Sequence, residues 1–320
     1  DVYRDGRIGV EMTDELCRVL NDFVRIMKGY RVDDWRVCAT SAVREAGNQL
    51  VFLDRVKRHT GLEVEVLSNA SQRFMDYKSI ASRENEFNRI IQKGTAIVDV
   101  GGGSIQISLF DKDRLVASQN MKIGNLRLRE RMMNEGVSLK HYETLLTEVV
   151  KNEFLSYKKL YLKDRVISNL IVVGDHIGDA VHKNVMTRAD FLNFYDDMIY
   201  RSDEDAAGRC EVPEDVISVL RPSLVVYRCF LEAADVENIW MPGLHLTDGM
   251  AYEYAQQNRL LKLGHDFDED ILAAARNAAK RYQCSKSHIK VCEDLAVGIF
   301  DKIKKSQGFD DRDRLLLRIA

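Results

Sequence analysis

TAIVDVGGGSIQISLF, residues 95–110, reads as an apolar strand, a turn of three consecutive glycines and a second strand. The stretch RLVASQNMKI, residues 114–123, follows a short DKD turn as a third strand. Glycine lets the backbone take positive φ and bring its N–H groups together without a Cβ clash. The turn at Gly101, Gly102 and Gly103 is therefore a candidate nest of donors for phosphate oxygens. Asp99 closes the first strand beside it, where a carboxylate would hold a divalent cation or orient water, and Ser104 adds a hydroxyl. The alternative is a tight hairpin whose glycines serve geometry alone. The spacing matches neither the dinucleotide fingerprint nor the Walker loop, so neither of those mechanisms is implied.

Upstream, Leu16, Leu20, Phe23, Val24 and Met27 recur at helical spacing and predict an amphipathic helix over residues 13–28, capped by Thr13. WRVCAT at 35–40 reads as a buried strand, which leads to a turn and a helix ending at Gly61. Thr40 and Ser41 are candidate caps there and Arg44 lies in the first turn, a combination that suits an anion. The simpler alternative is an ordinary helix start with a solvated arginine. LEVEVLS at 62–68 alternates as a strand, and residues 72–91 read as a helix with a polar break at 82–85. Downstream come helices from 124 to about 161, a strand ISNLIVVG at 167–174, mostly helix, a short strand NIWMPG at 238–243, and a helix over 247–261. An all-helical piece starts near Asp268. Strands alternating with helices, together with an antiparallel hairpin run, predict a mixed α/β layer architecture. Trp35 and Trp240 fall on these strands and are assigned to the core.

Composition narrows the classes. The 320 residues carry 47 basic and 50 acidic side chains, a net charge of −3, so no global basic field recruits nucleic acid or a membrane surface. Six cysteines without a CxxC pair point to reduced thiols in a cytoplasmic protein. No apolar run spans a membrane. The chain opens without methionine and closes on DRDRLLLRIA, an apolar helical stripe that is cut off, so a fragment at both ends is expected.

Taken together, ATSAVREAGNQLVFL, IVDVGGGS, MKIGNLRLRE and PGLHLTDGMAYEYA, in this order, resemble the exopolyphosphatase and guanosine pentaphosphate phosphatase (Ppx/GppA) family. The resemblance implies an α/β, actin/Hsp70/sugar-kinase-like (ribonuclease H-like) two-lobed fold, followed by the start of an all-helical HD-like segment. It places a first lobe at 1–93, a second at 94–264 and the helical segment at 265–320, with the family's N-terminal hairpin unmatched in this sequence. His288 falls at the first histidine of the HD-like pattern, but the HD doublet is absent, so no metal site is assigned to it. His59, His141, His182, His245 and His265 are scattered and read as structural or solvent-exposed.

By the same resemblance the activity is hydrolysis of terminal phosphoanhydride bonds of inorganic polyphosphate or guanosine pentaphosphate. Thr40, Ser41, Arg44, Gly101, Gly102, Gly103 and Ser104 would hold phosphate, Asp99 would hold Mg2+, and the protein would form a homodimer. Three segments depart from the family pattern. Gln72 and Gln106 stand where it has glutamates, and VVGDHIGDA puts Asp175 and His176 where it has a Gly-Gly-Thr loop. An amide cannot take a proton at neutral pH, whereas general-base assistance contributes roughly 10²–10⁴-fold. Gln72 can instead orient a water, as glutamine does in some NTPases. Two further readings follow: a base relocated to His176, Asp175 or a nearby carboxylate, or a catalytically degenerate homologue that binds a phosphorylated ligand without hydrolysis.

Overall fold

Short helix α1 (Val2–Asp5) and long helix α2 (Val10–Gly29) open the chain in a computed structural model that describes residues 2–133, 139–162, 165–174, 176–258, 260–261 and 264–320. Helix α2 starts one turn earlier than its apolar spacing predicts. Gly9 takes the extended N-cap conformation, and the Thr13 hydroxyl donates to the Gly9 carbonyl instead of capping. Strand β1 (Val37–Ala39) leads into α3 (Ser41–Glu45) and α4 (Gln49–Thr60), and β2 (Val64–Val66) pairs parallel with β1. Cys17 and Leu20 of α2 pack on Phe52 and Val56 of α4 beside this two-stranded sheet.

Two expectations change here. Trp35 is 52% exposed and precedes β1, because so small a sheet offers no apolar layer for the indole to enter. The helix expected up to Gly61 is two helices, since Asn48 bonds the backbone of Ile8 at 2.9 and 2.8 Å and turns the chain between α3 and α4. Gly61 ends α4 in the left-handed region, φ 73°, as a glycine C-cap does. Helix α5 (Asn69–Ala81) starts before position 72 because the Ser68 hydroxyl accepts from the Ser71 N–H. The polar break then separates it from α6 (Glu84–Ile90).

The antiparallel meander β3 (Thr95–Val100), β4 (Ile105–Asp111) and β5 (Arg114–Met121) follows. Helices α7 (Asn125–Met133) and α8 (Leu139–Tyr157) come next, the latter running into a π-helical turn at Lys158–Leu162. After β6 (Asn169–Val173) come α9 (Ile177–Val181), β7 (Val185–Thr187), α10 (Arg188–Met198), α11 (Asp203–Cys210), α12 (Glu214–Ala233), β8 (Asn238–Trp240) and α13 (Leu246–Gln257). The three-residue β7 lies in a region read as helix; three residues are too few for a period to show. The six strands stand in the order β5-β4-β3-β6-β8-β7, with β3, β6 and β8 parallel.

Every residue of β3 is buried, so both faces of the sheet are covered. Ala96, Val98, Val100, Ile105, Ile107 and Leu109 face a large core built with α8 and α12. Ile97, Phe110 and Ile171 face the opposite way, against Tyr77 of α5 and Phe87 of α6. Period-two alternation therefore sends Asp99 and Gln106 to the α5 side.

The helices α14 (Phe267–Arg281), α15 (Lys286–Gln307) and α16 (Asp311–Ile319) end the chain. Asp266 caps α14 by accepting from the Asp268 and Glu269 N–H groups. Asp270 accepts from the Leu115 N–H at 3.0 Å and from His265 at 2.6 Å, and the His265 ring lies among Phe87, Phe110 and Phe267. Among the described residues no helix is long and apolar enough to cross a membrane.

Candidate active site

Asp99 and Gln106 are directly opposite partners in the β3–β4 ladder, and both are almost fully buried, at 6% and 2% exposure. The Gln106 amide donates to Asp99 Oδ2 at 3.2 Å. Helix α5 crosses above them and brings Gln72, whose amide donates to the same oxygen at 3.4 Å. One turn further along α5, Asp76 lies on the same helix face and sets its carboxyl against that of Asp99. Burial, and then the neighbouring Asp99 charge, push the Asp76 carboxyl well above the usual carboxylate range. Gln72 Oε1, Gln106 Oε1 and Asp76 Oδ2 are buried without a hydrogen-bond partner among the described residues. Gly174, at the end of β6, has φ 85°, and a Cβ there would stand 2.3 Å from Asp99 Oδ1, so only glycine fits beside this carboxylate.

The glycine turn lies at the end of the same two strands. The Gly101 N–H donates to the Ser104 carbonyl at 3.0 Å, closing the turn. Its carbonyls point to the start of α7, where Asn125 and Arg127 N–H groups donate to Gly101 and Gly102, each at 3.0 Å. Gly124 permits this approach, since a Cβ there would meet both carbonyl oxygens at 2.4 Å. With the carbonyls engaged, the N–H groups of Gly102 and Gly103 have no acceptor among the described residues. Such donors are what a phosphate oxygen requires.

The other positions are arranged differently. Ser41 is buried and shares a 2.7 Å hydrogen bond with the Tyr3 hydroxyl, and both side chains lie against Gly103. Thr40 is the N-cap residue of α3 but makes no side-chain capping bond. Arg44 donates to the Leu67 carbonyl and to Asn69 Oδ1, each at 2.5 Å, tying α3 to the loop that starts α5. His176 is exposed and 3.3 Å from Asp179, and Asp175 lies outside the described residues. His288 is exposed, 3.6 Å from the Cys292 sulfur. Among the described residues no three His, Cys, Asp or Glu side chains converge as a metal site would.

Two residues of this arrangement carry no role in the sequence pattern, Asp76 and Arg127. Asp76 carries a local signal, an acid between Met75 and Tyr77 in a buried turn of helix, four residues after Gln72. Arg127 lies within the GNLRLRE stretch: its guanidinium donates to the Gly103 carbonyl at 3.0 Å and to Glu45 at 2.6 Å, and stacks 4.7 Å above the Tyr3 ring.

Comparison with known proteins bears on this arrangement. A family model described as the Ppx/GppA phosphatase family matches residues 2–258. The chain is 31% identical over 104 residues to "Exopolyphosphatase 1" of Mycobacterium leprae, covering 32% of this chain and 29% of that protein. It is 20% identical over 296 residues to a "Guanosine-5'-triphosphate,3'-diphosphate pyrophosphatase" of Photobacterium profundum, covering 89% of this chain and 56% of that one. Each alignment thus spans well under two thirds of the relative's own length. The crystal structure of an exopolyphosphatase from Cytophaga hutchinsonii superposes with a TM-score of 0.69 at 17% identity, covering 82% of this chain and 86% of that one, and so shares the fold.

Proposed function

Because the chain belongs to the Ppx/GppA phosphatase family, we propose that it hydrolyses the terminal phosphoanhydride bond of inorganic polyphosphate or guanosine pentaphosphate. The observation that carries this reading is a glycine turn with two N–H donors beside the buried Asp99, Gln72 and Gln106. The Gly102 and Gly103 N–H groups take the oxygens of the terminal phosphate, and Arg127 fixes the turn through the Gly103 carbonyl. Gln72, at the start of α5, orients the attacking water toward phosphorus; the water oxygen forms the new P–O bond as the bridging oxygen leaves with its electron pair, and the proton given up by the water passes to solvent. Preorganised donors lower the barrier because they need not reorient as charge shifts.

Magnesium fits the residues present: Asp99, Asp76 and the Gln106 oxygen form an all-oxygen set suited to a hard cation, which leaves the Gln72 oxygen for the water. When bound it supplies charge neutralisation at the phosphate. A specific observation favours the second reading, binding without turnover: both positions expected to be glutamate are amides that donate to Asp99 and cannot accept a proton.

Magnesium-dependent phosphate release from polyphosphate and from guanosine pentaphosphate separates the two, with the protein compared against its Gln72→Glu, Gln106→Glu double variant. Turnover by the unsubstituted protein is the expected result, rising by about 10²–10⁴-fold in the variant. A silent parent with an active variant would favour the binder, and silence from both would overturn the phosphatase reading.

A further inference from the structure

We infer that Arg127 holds a second phosphate of the ligand, the one linked to the terminal phosphate on the glycine turn, and that Glu45 is the carboxylate Arg127 gives up to do so. The inference rests on the phosphatase reading for the place of the terminal phosphate, and goes beyond it in requiring a ligand of at least two linked phosphates. Arg127 is fixed to the turn by backbone and side chain alike: its N–H donates to the Gly102 carbonyl and its Nε to the Gly103 carbonyl, each at 3.0 Å. Nη2 donates to Glu45 at 2.6 Å, and the guanidinium lies 4.7 Å above the Tyr3 ring, which restrains its plane.

These side-chain bonds engage two of the five N–H donors of a guanidinium, and those on Nη1 have no acceptor among the described residues. A planar cation with donors to spare is thus held on the carbonyl of the same residue whose N–H takes the terminal phosphate. Arg44 is the other guanidinium whose charge, like that of Arg127, acts on the Tyr3 hydroxyl beside Gly103. Its fork, however, is spent on the Leu67 carbonyl and Asn69. The partner of Arg127 can leave. Glu45 ends the short α3, and the Arg127 and Glu45 side chains are 27% and 30% exposed, so the carboxylate can turn out into water and a ligand can reach the guanidinium. An ion pair this open contributes little stability. A phosphate brings more charge and several acceptor oxygens to the same fork, so a chain of linked phosphates displaces Glu45. A single phosphate held on the turn leaves the pair closed.

The test is calorimetric titration, in magnesium-free buffer, with orthophosphate and with methylenediphosphonate, which links two phosphorus groups through a bridge that cannot be hydrolysed. The unsubstituted protein is expected to bind methylenediphosphonate saturably. Arg127→Gln should weaken that binding about tenfold or more, and orthophosphate binding by much less. Glu45→Gln should tighten methylenediphosphonate binding about two- to fivefold, because the ligand no longer competes with a carboxylate. A pair that served only to latch α3 to the turn would give the opposite sign at Glu45, since loosening a latch weakens binding. No saturable binding by the unsubstituted protein, an Arg127→Gln loss that is absent or equal for the two ligands, or unchanged or weaker binding by Glu45→Gln overturns the inference. Should Arg127→Gln fail to fold, Glu45→Gln decides alone. The expected titrations without phosphate release from polyphosphate would sink the phosphatase reading and leave the diphosphate site standing; phosphate release without the expected titrations would do the reverse.

Discussion

Arg44 shows how one side chain expected to hold an anion is first a piece of structure. Its guanidinium spends two of its five N–H donors on the Leu67 carbonyl and the Asn69 amide oxygen, and so fixes the loop that starts α5 and delivers Gln72. Desolvation holds its pKa below the usual arginine value, and it stays charged. Hydrogen bonds to a charged group are worth about 1.5–3 kcal/mol, so Arg44→Ala is expected to lower unfolding stability by about that much. Arg44→Lys keeps the charge but lacks the planar fork, and is expected to recover little of the loss. Urea unfolding of the two variants checks this; a lysine variant as stable as the parent would show that charge alone matters.

Helix α5 is the element on which the site depends. It carries Gln72 and Asp76 to the sheet, anchors itself through the Tyr77 hydroxyl on Ser108, and packs its other side on α13. That second contact is close because Gly249 has no side chain: a Cβ there would stand 1.9 Å from the Met75 carbonyl oxygen, a backbone atom that cannot rotate away. Gly249→Ala must push the two helices apart. Overpacking of this kind costs about 1–3 kcal/mol, and the value here is expected at the upper end. Met75 adjoins Asp76 and lies one turn from Gln72, so the same substitution should also lower phosphate release from polyphosphate. Denaturant midpoints and the phosphate-release assay report the two effects separately, and a variant with both unchanged would show that α5 and α13 can part without consequence.

Across the whole molecule, ionic contacts join the β1–β2 unit to the parts that follow it. Glu253 of α13 accepts from Lys78 at 2.6 Å and from Arg36, just before β1, at 2.7 Å, while Arg127 reaches Glu45 from the far side of the glycine turn. Burial raises the Glu253 pKa, but the hydrogen bonds from Lys78 and Arg36 outweigh it, and the net value lies below that of a free glutamate. A depressed folded pKa contributes stability that is fully present above the unfolded value of about 4.3 and is lost as the pH falls through the lower folded value. Glu253→Gln is therefore expected to cost about 1.5–3 kcal/mol at pH 7 and less as the pH falls through that window. Urea midpoints of parent and variant at pH 7 and in acid test it; a pH-independent difference would mean that the amide loses packing and not charge.

The meander, the glycine turn, the break between α5 and α6, and the glycine that ends α4 were legible in the sequence. Each is set by the conformational preferences of a few adjacent residues or by a short repeat of apolar positions. The place of Asp99 in a buried strand next to the glycine turn is legible for the same reason. The expectation for Trp35 fails because its burial depends on how many strands lie beside it, which no local pattern states. Asp76 and Arg127 were passed over because their meaning lies in partners distant along the chain, Asp99 for one and the Gly103 carbonyl, Glu45 and Tyr3 for the other. The sequence alone thus determined most of the elements and where the glycine turn stands. Only the tertiary structure decided that α5 faces β3 and β4, setting two carboxyls and two amides in one dry space, because that contact arises from packing between segments whose spacing along the chain carries no trace of it.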